Sequence, residues 1–196
     1  MANTDGAFGF RPVRYLNGSP WNGAFNWYYI PATDGTATFI GDAVKSAGSG
    51  DTLGIYPTVA QAAATNAIRG VVIGFADQPY MAFDRTNLSR KYRPASTAMY
   101  AAVIDDPNVI FEIQEDSDGG ALAATEINNN MDIVVGTGNT TTGISAMELD
   151  SSDAKTATAQ IRVLGLAPWE EGNEIGEYAK WLVLINEHEL KSTTGS

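Results

Sequence analysis

Residues 109–115 read Val-Ile-Phe-Glu-Ile-Gln-Glu, and apolar and polar side chains alternate along most of this segment. Successive side chains of a β-strand point to opposite faces of a sheet, so an alternation with a period of two indicates a strand. Val109, Phe111 and Ile113 would then face a core, whereas Glu112 and Gln114 would face water. The segment therefore predicts a strand of a sheet that is buried on one face.

Other tracts along the chain share the bias toward β-branched and aromatic residues. They cover residues 27–30, 38–44, 70–75, 79–83, 99–104, 131–135, 144–149, 159–166 and 181–186, with turns rich in Gly, Asn and Asp between many of them. Residues 70–75 are apolar throughout, which is typical of a strand covered on both faces. Residues 59–68 and 120–128 contain several alanines and are candidates for short helices. We predict a mainly β fold, a barrel or a sandwich, with one or two short helices.

The first 25 residues differ in composition from the rest of the chain. Aromatic rings are interleaved there with glycine and proline, as in Gly-Ala-Phe-Gly-Phe at positions 6–10. Glycine and proline at this density disfavour helices and sheet ladders, whereas the rings favour burial. We predict an extended N-terminal arm over residues 1–25, which docks either on its own domain or on a neighbour. A β-barrel or sandwich domain over 26–190 and a flexible tail over 191–196 follow.

The charge balance excludes several classes of partner. The chain of 196 residues carries 12 Lys and Arg against 23 Asp and Glu, a formal net charge of −11. Binding to nucleic acid requires clustered cations in excess, so we expect no nucleic-acid partner. No apolar run approaches the roughly 18 residues needed to cross a bilayer, so we expect no membrane partner. The absence of cysteine excludes disulfides, thiolate nucleophiles and thiolate metal sites.

Basic and acidic residues form two neighbouring clusters in the sequence. The basic cluster holds four of the 12 Lys and Arg residues: Arg85, Arg90, Lys91 and Arg93. The acidic cluster begins with Asp105 and Asp106. A basic face and an acidic face suit head-to-tail contact between copies of one protein, so we predict self-association or lattice contact through these residues. Two solvated loops are the alternative.

Side chains that usually carry catalysis are few. His188 is the only histidine, and alternation along a strand would turn Glu187 and Glu189 away from it. We expect a surface or interface histidine there, and no metal site. Without a second histidine or a cysteine, most hydrolases and transferases lose their usual base or nucleophile, so we predict that the protein is not an enzyme.

Two acidic segments leave alternatives open. Glu170 and Glu171 follow Trp169, and a pair of carboxylates beside an aromatic ring is the minimum that a glycosidase needs. Residues 116–120, Asp-Ser-Asp-Gly-Gly, are similar to the start of a calcium loop. Ile127 stands where that loop requires a bidentate glutamate, so we predict no bound metal and no cofactor.

Several segments together resemble small structural proteins of tailed-bacteriophage heads. The similarity begins with Gly-Ala-Phe-Gly-Phe-Arg-Pro-Val-Arg-Tyr-Leu-Asn-Gly-Ser-Pro-Trp-Asn-Gly at 6–23 and continues through 27–31, 40–44, 68–75, 109–116, 164–166 and 179–188. The family resembled is that of the capsid decoration, or cement, proteins. The resemblance implies a β-barrel, β-tulip or jelly-roll-like core, no catalytic site and no cofactor.

The resemblance also implies a place in the virion. A decoration protein binds the outer surface of an expanded head, assembled in the host cytoplasm, and bridges neighbouring copies of the major capsid protein. We expect a homo-oligomer, a dimer or a trimer, that reaches the capsid through its N-terminal arm. The expected capsid-binding residues are Phe8, Phe10, Arg11, Pro12, Arg14, Tyr15, Trp21 and Phe25.

Two further functions fit a β-rich acidic chain. One is a carbohydrate- or host-surface-binding module of the virion that uses Trp169 and nearby acids. The other is a subunit of a tail tube or of a head–tail connector.

Overall fold

The computed structural model describes residues 3–78, 90–152, 158–169 and 172–191. They form fourteen β-strands, 3-10 turns at Ala124–Glu126 and Glu189–Lys191, and no α-helix. The strands are β1 Arg11–Tyr15, β2 Asn26–Ile30, β3 Thr38–Phe39, β4 Ala43–Gly50, β5 Pro57–Gln61, β6 Gly70–Ala76, β7 Tyr92–Arg93, β8 Met99–Ile104, β9 Val109–Gln114, β10 Asn130–Met131, β11 Ile133–Val135, β12 Met147–Leu149, β13 Ile161–Leu166 and β14 Lys180–Ile185. The prediction of a mainly β fold is confirmed. No helix in this part of the chain has the length and apolar character needed to cross a membrane.

Two larger sheets organise the fold. The first is antiparallel, with five strands in the order β1-β9-β14-β13-β10, so that β9 lies between β1 and β14. The second closes into a small barrel in the order β2-β5-β4-β6-β8. The strand pairs β3-β7 and β11-β12 form short separate ladders.

Two apolar clusters stabilise these sheets. The larger joins side chains of the five-stranded sheet, such as Phe111 and Trp181, to Val71 on the barrel wall. The smaller is formed by residues of the barrel strands: Tyr28, Ile30, Val44, Val59, Val72, Ala101 and Val103. Val71 and Val72 are neighbours in β6 but belong to different clusters, so β6 is covered on both faces, as its apolar run predicts.

Strand β9 differs from its prediction, because both of its faces are covered. Glu112 and Gln114 are 5% and 0% exposed, so the expected solvated face is wrong. The Gln114 amide donates to the carbonyl of Thr4 at 2.9 Å and accepts from the N–H of Gly6 at 2.8 Å. The indole N–H of Trp169 donates to Glu112 at 3.2 Å. Segments distant in the sequence therefore bury polar side chains that alternation alone assigns to water.

Other differences have local causes. Neither predicted helix forms. Residues 120–128 contain only the 3-10 turn Ala124–Glu126, and residues 59–68 do not form a helix because β5 crosses their start and buries Val59 among the barrel strands. The predicted strand 38–44 divides at Gly41, whose φ is +96°. Strands β1 and β7 were not predicted. The predicted strand 79–83 lies outside the described residues, as do residues 192–196 of the predicted tail.

Candidate functional site

Most of the predicted arm is part of the folded domain. Phe8 and Phe10 are 5% and 2% exposed, and Phe10 contacts Phe111 edge to face at 5.9 Å. Residues 11–15 form β1, which pairs with β9, and the Arg11 guanidinium lies 3.8 Å above the Phe8 ring. The arm therefore docks on its own domain, which corrects the expectation that Phe8 and Phe10 present their rings to a capsid.

The remaining arm residues are more accessible. Pro12, Arg14, Tyr15 and Trp21 are half-buried, and Tyr15 and Trp21 pack on the larger apolar cluster. Only Phe25, among the predicted aromatic anchors, is exposed, with 42% of its surface in contact with solvent. The arm thus offers a partner one aromatic ring, at the point where the chain enters the barrel.

The predicted basic cluster separates into different environments. Arg93 is fully buried and donates to the backbone carbonyls of Thr97, Thr36, Pro31 and Asp34, so its assignment to an intermolecular contact is corrected. It holds the loop before β3 against the loop before β8. Its guanidinium donates to four partly buried carbonyls, of which those of Pro31 and Asp34 also accept from the backbone N–H groups of Asp34 and Ser96.

The other members of the basic cluster lie at the surface or outside the described residues. Arg90 forms an exposed ion pair with Asp77 at 2.9 Å, and Lys91 donates to the carbonyl of Thr141 at 3.0 Å. Arg85 lies outside the described residues. Within the described ranges, neither Arg90 nor Lys91 forms an ion pair with Asp105 or Asp106, so contact between the two clusters stays a prediction for separate copies.

An open cleft of about 550 Å³ lies between β2 and β5. It is lined by Phe25, Asn26, Trp27, Tyr28, Ile55, Tyr56, Pro57 and Asp105. The two strands run parallel but pair only at Tyr29 and Thr58. Pro57 has no N–H to donate to a ladder, so the strands separate before this pair. We call this opening the barrel-mouth cleft.

The barrel-mouth cleft combines aromatic rings with one carboxylate. Phe25 and Trp27 contact edge to face at 5.3 Å. Asp105 accepts from the Asn26 amide at 2.8 and 3.0 Å and from the Tyr28 hydroxyl at 2.6 Å. Burial, and then the hydrogen bond to Asp105, raise the pKa of Tyr28 well above its ordinary value. Two donors, the Asn26 amide and the Tyr28 hydroxyl, therefore hold the carboxylate in a lining whose other described residues are uncharged.

Exposed apolar side chains surround the same end of the molecule. Phe25 and Ile55 line the barrel-mouth cleft, with 42% and 53% exposed, and Leu53 is 70% exposed in the same turn as Ile55. Leu16 is 53% exposed, and its N–H donates to Asn108 in the turn that follows Asp105. We call these four side chains the contact end.

Sequence reasoning missed three members of the contact end: Leu16, Leu53 and Ile55. Leu53 and Ile55 occupy the β4–β5 turn, where Asp51 accepts from the N–H groups of Ile55 and Tyr56. The sequence does contain a signal for an exposed contact here, a Leu-Gly-Ile segment close to Asp51 in a turn. Apolar side chains are unusual in the turns of a monomeric domain.

His188 is buried, with 3% of its surface exposed, so the expectation of a surface or interface histidine is wrong. Its Nδ1 accepts from the N–H of Leu190 at 3.1 Å. Burial, followed by the charge of Lys191, lowers the pKa of His188 to about 4. The imidazole is therefore neutral in the folded protein at physiological pH.

Acidification should destabilise the protein through His188. The folded protein keeps this imidazole neutral down to about pH 4, whereas the unfolded chain protonates near pH 6.5. Between these values the unfolded state binds more protons than the folded state. The free energy of unfolding therefore decreases as the pH is lowered, by about 3 kcal/mol in total. His188→Asn keeps an acceptor near the position of Nδ1 and removes the titration. Urea unfolding at pH 7 and pH 4.5 should show a smaller loss in this variant than in the unmodified protein, and an equal loss would contradict the assignment.

The acidic segment after β9 gathers several carboxylates. Asp116, Asp118 and Asp150 can each place one oxygen within 4.8 Å of the others. Burial, with the charges of Asp5 and Asp116, raises the pKa of the neighbouring Glu148 to about 7. Three oxygens are half or fewer of the six to eight that Ca²⁺ takes, so the arrangement alone does not make a calcium site.

The structure describes Trp169 but not the two acids that follow it. Trp169 is 48% exposed, and its indole N–H is bonded to Glu112. Glu170 and Glu171 lie outside the described residues.

Comparisons with known proteins return no relative. No protein-family model matches the chain, and no curated protein and no solved structure matches it. The contacts of the described residues therefore carry the functional argument.

Proposed function

We propose that this protein is a structural component of a bacteriophage virion. It binds the outside of the expanded head and bridges neighbouring major capsid proteins, and it has no catalytic role. The observation that carries the proposal is the contact end, where Leu16, Phe25, Leu53 and Ile55 expose between 42% and 70% of their surfaces. The resemblance of residues 6–23 to head structural proteins is what suggests the major capsid protein as the partner.

Clustered exposed apolar side chains favour a protein partner. Single apolar residues are common on protein surfaces, but here Phe25 and Ile55 line one cleft and Leu53 lies in the same turn as Ile55, a grouping that is typical of an interaction site. Burial of such a group contributes roughly 25 cal/mol for each Å² removed from water. Contacts that form only with the expanded lattice stabilise that lattice by mass action, which is the effect required of a cement protein.

Loss of two contact-end side chains should weaken binding to heads. We expect Phe25→Ala combined with Ile55→Ser to raise the dissociation constant at least about tenfold, because each truncation of a central interface side chain costs about 1 kcal/mol or more. Co-sedimentation with purified expanded heads measures the change. Both side chains are exposed, so the fold should stay intact.

Ile175→Ser is the matched control. Ile175 is 49% exposed and lies in the loop before β14, whose first residue pairs with the last residue of β9. The contact end lies near the opposite end of β9, where Val109 pairs with Tyr15. Equal losses in the control and the double variant would contradict the role of the contact end. Failure of the unmodified protein to sediment with expanded heads would overturn the proposed function.

A further inference from the structure

We infer that the barrel-mouth cleft binds an extended peptide segment of a partner protein, which carries a Lys or Arg side chain and aligns as an added strand beside β2. The identification of that partner as the major capsid protein rests on the proposed function. The peptide chemistry itself rests on the cleft.

Strand β2 has an open edge on the side of the cleft. On one side β2 pairs with β8 at all five residues, from Asn26 to Ile30. On the other side it pairs with β5 only at Tyr29. Among the described residues, no strand pairs with the cleft side of β2 over 26–28. Backbone N–H and C=O groups along such an edge are a template for an incoming strand.

The size and the apolar lining of the cleft suit an extended peptide. A cleft of about 550 Å³ separates the first half of β2 from the approach to β5. Phe25, Trp27 and Ile55 supply apolar side chains to its lining. An extended segment presents alternate side chains to alternate faces, so apolar residues of the incoming strand can contact these walls while its backbone follows β2.

The negative charge of the cleft suits a Lys or Arg side chain. Asp105 is the only charged residue among the described residues that line the cleft. Its carboxylate uses three acceptor positions for Asn26 and Tyr28, and a carboxylate offers about four. One position therefore remains for a cation.

A saccharide is the competing occupant, because aromatic rings beside an acid and an amide also bind sugars. The interrupted ladder favours the peptide. A sugar could use the rings and the carboxylate, but it has no periodic backbone groups to pair with a strand edge, whereas an extended peptide has them. The small area of the cleft implies weak binding per site, which many copies on one lattice would strengthen.

An unbiased peptide selection tests this inference without heads. The full-length protein is immobilised and challenged with an mRNA-displayed library of random linear octapeptides. Enriched sequences are synthesised and measured by fluorescence anisotropy against the unmodified protein, Asp105→Asn, the Phe25→Ala/Ile55→Ser double variant and the Ile175→Ser control. A glycan array is probed in parallel with the unmodified protein and with Trp27→Ala.

We expect enriched peptides to contain Lys or Arg within alternating apolar residues. Asp105→Asn and the double variant should each weaken their binding at least tenfold, and Ile175→Ser should leave it unchanged. Methylation of the peptide backbone nitrogens should cause a similar loss, because it removes the ladder donors. In spectra of the ¹⁵N-labelled protein, amide shifts on titration should centre on residues 26–28.

Three results would overturn the inference. The first is no enrichment of peptides over the blank support. The second is enriched peptides whose binding changes neither with Asp105→Asn nor with methylation of the peptide backbone. The third is no peptide binding together with binding to glycans that Trp27→Ala abolishes. Peptide binding without sedimentation on heads would leave the cleft chemistry standing and remove the proposed virion role. Sedimentation on heads without peptide binding would leave the proposed virion role standing and overturn the inference about the cleft.

Discussion

Phe10→Ala should lower the free energy of unfolding by about 3–5 kcal/mol. Phe10 is 2% exposed, packs edge to face on Phe111 and belongs to the larger apolar cluster. The truncation removes its apolar contacts and leaves a cavity between the N-terminal segment and β9. An arm that waits undocked for a capsid would tolerate the same change. Urea unfolding followed by tryptophan fluorescence measures the difference.

Phe25→Ala is the matched control for this experiment. Its ring belongs to the same N-terminal segment but is 42% exposed, so we expect a change within about 0.5 kcal/mol. A Phe10→Ala protein as stable as this control would show that the N-terminal segment does not contribute to the core. Deletion of residues 2–25 would remove β1 and Phe10 together, so it would not separate head binding from folding.

Arg93→Met should destabilise the protein by at least about 4 kcal/mol, and a domain of ordinary stability would then unfold in part at 37 °C. The buried guanidinium donates to the carbonyls of Thr97, Pro31 and Asp34 at 2.7–2.8 Å, and also to Thr36. Methionine fills part of the volume but donates nothing, so all four carbonyls lose the guanidinium donor, and those of Pro31 and Asp34 keep only backbone N–H donors. Thermal unfolding followed by circular dichroism reports the loss.

Arg90→Met separates this effect from the loss of a positive charge. Arg90 is close in sequence and pairs with Asp77, but the two side chains are 36% and 43% exposed. Exposed ion pairs contribute about 0–1 kcal/mol, so we expect little change in the melting temperature. Similar shifts for both variants would mean that net charge, rather than the buried carbonyls, determines the stability of this region.

Periodicity predicted the sheet strands well, because burial of apolar side chains on one or both faces leaves a local pattern. Residues 99–104 and 109–114 coincide with β8 and β9 as the structure has them. Residues 59–68 show where local patterns fail. Their alanines favour a helix, but burial of Val59 among the barrel strands as part of β5 stabilises the fold more. That gain depends on partners distant in the sequence, so no local pattern contains it.

The candidate site was only partly accessible to sequence reasoning for the same reason. Composition identified Phe25 as an aromatic anchor, and it lines the barrel-mouth cleft. Phe10 and Arg93 have the same residue types as surface contacts, but the long-range packing of β9 and of two loops buries them. The cleft itself arises from a ladder that stops at Pro57, which becomes visible only when β2 and β5 are paired.

A three-dimensional reconstruction of expanded heads saturated with this protein tests the central claim most directly. The account predicts density for the domain on the outer surface of the shell, with the end that carries Phe25, Leu53 and Ile55 against the major capsid protein. The loop that carries Ile175 should point away from the shell. An undecorated outer surface, or a domain attached by the Ile175 end, would contradict the account.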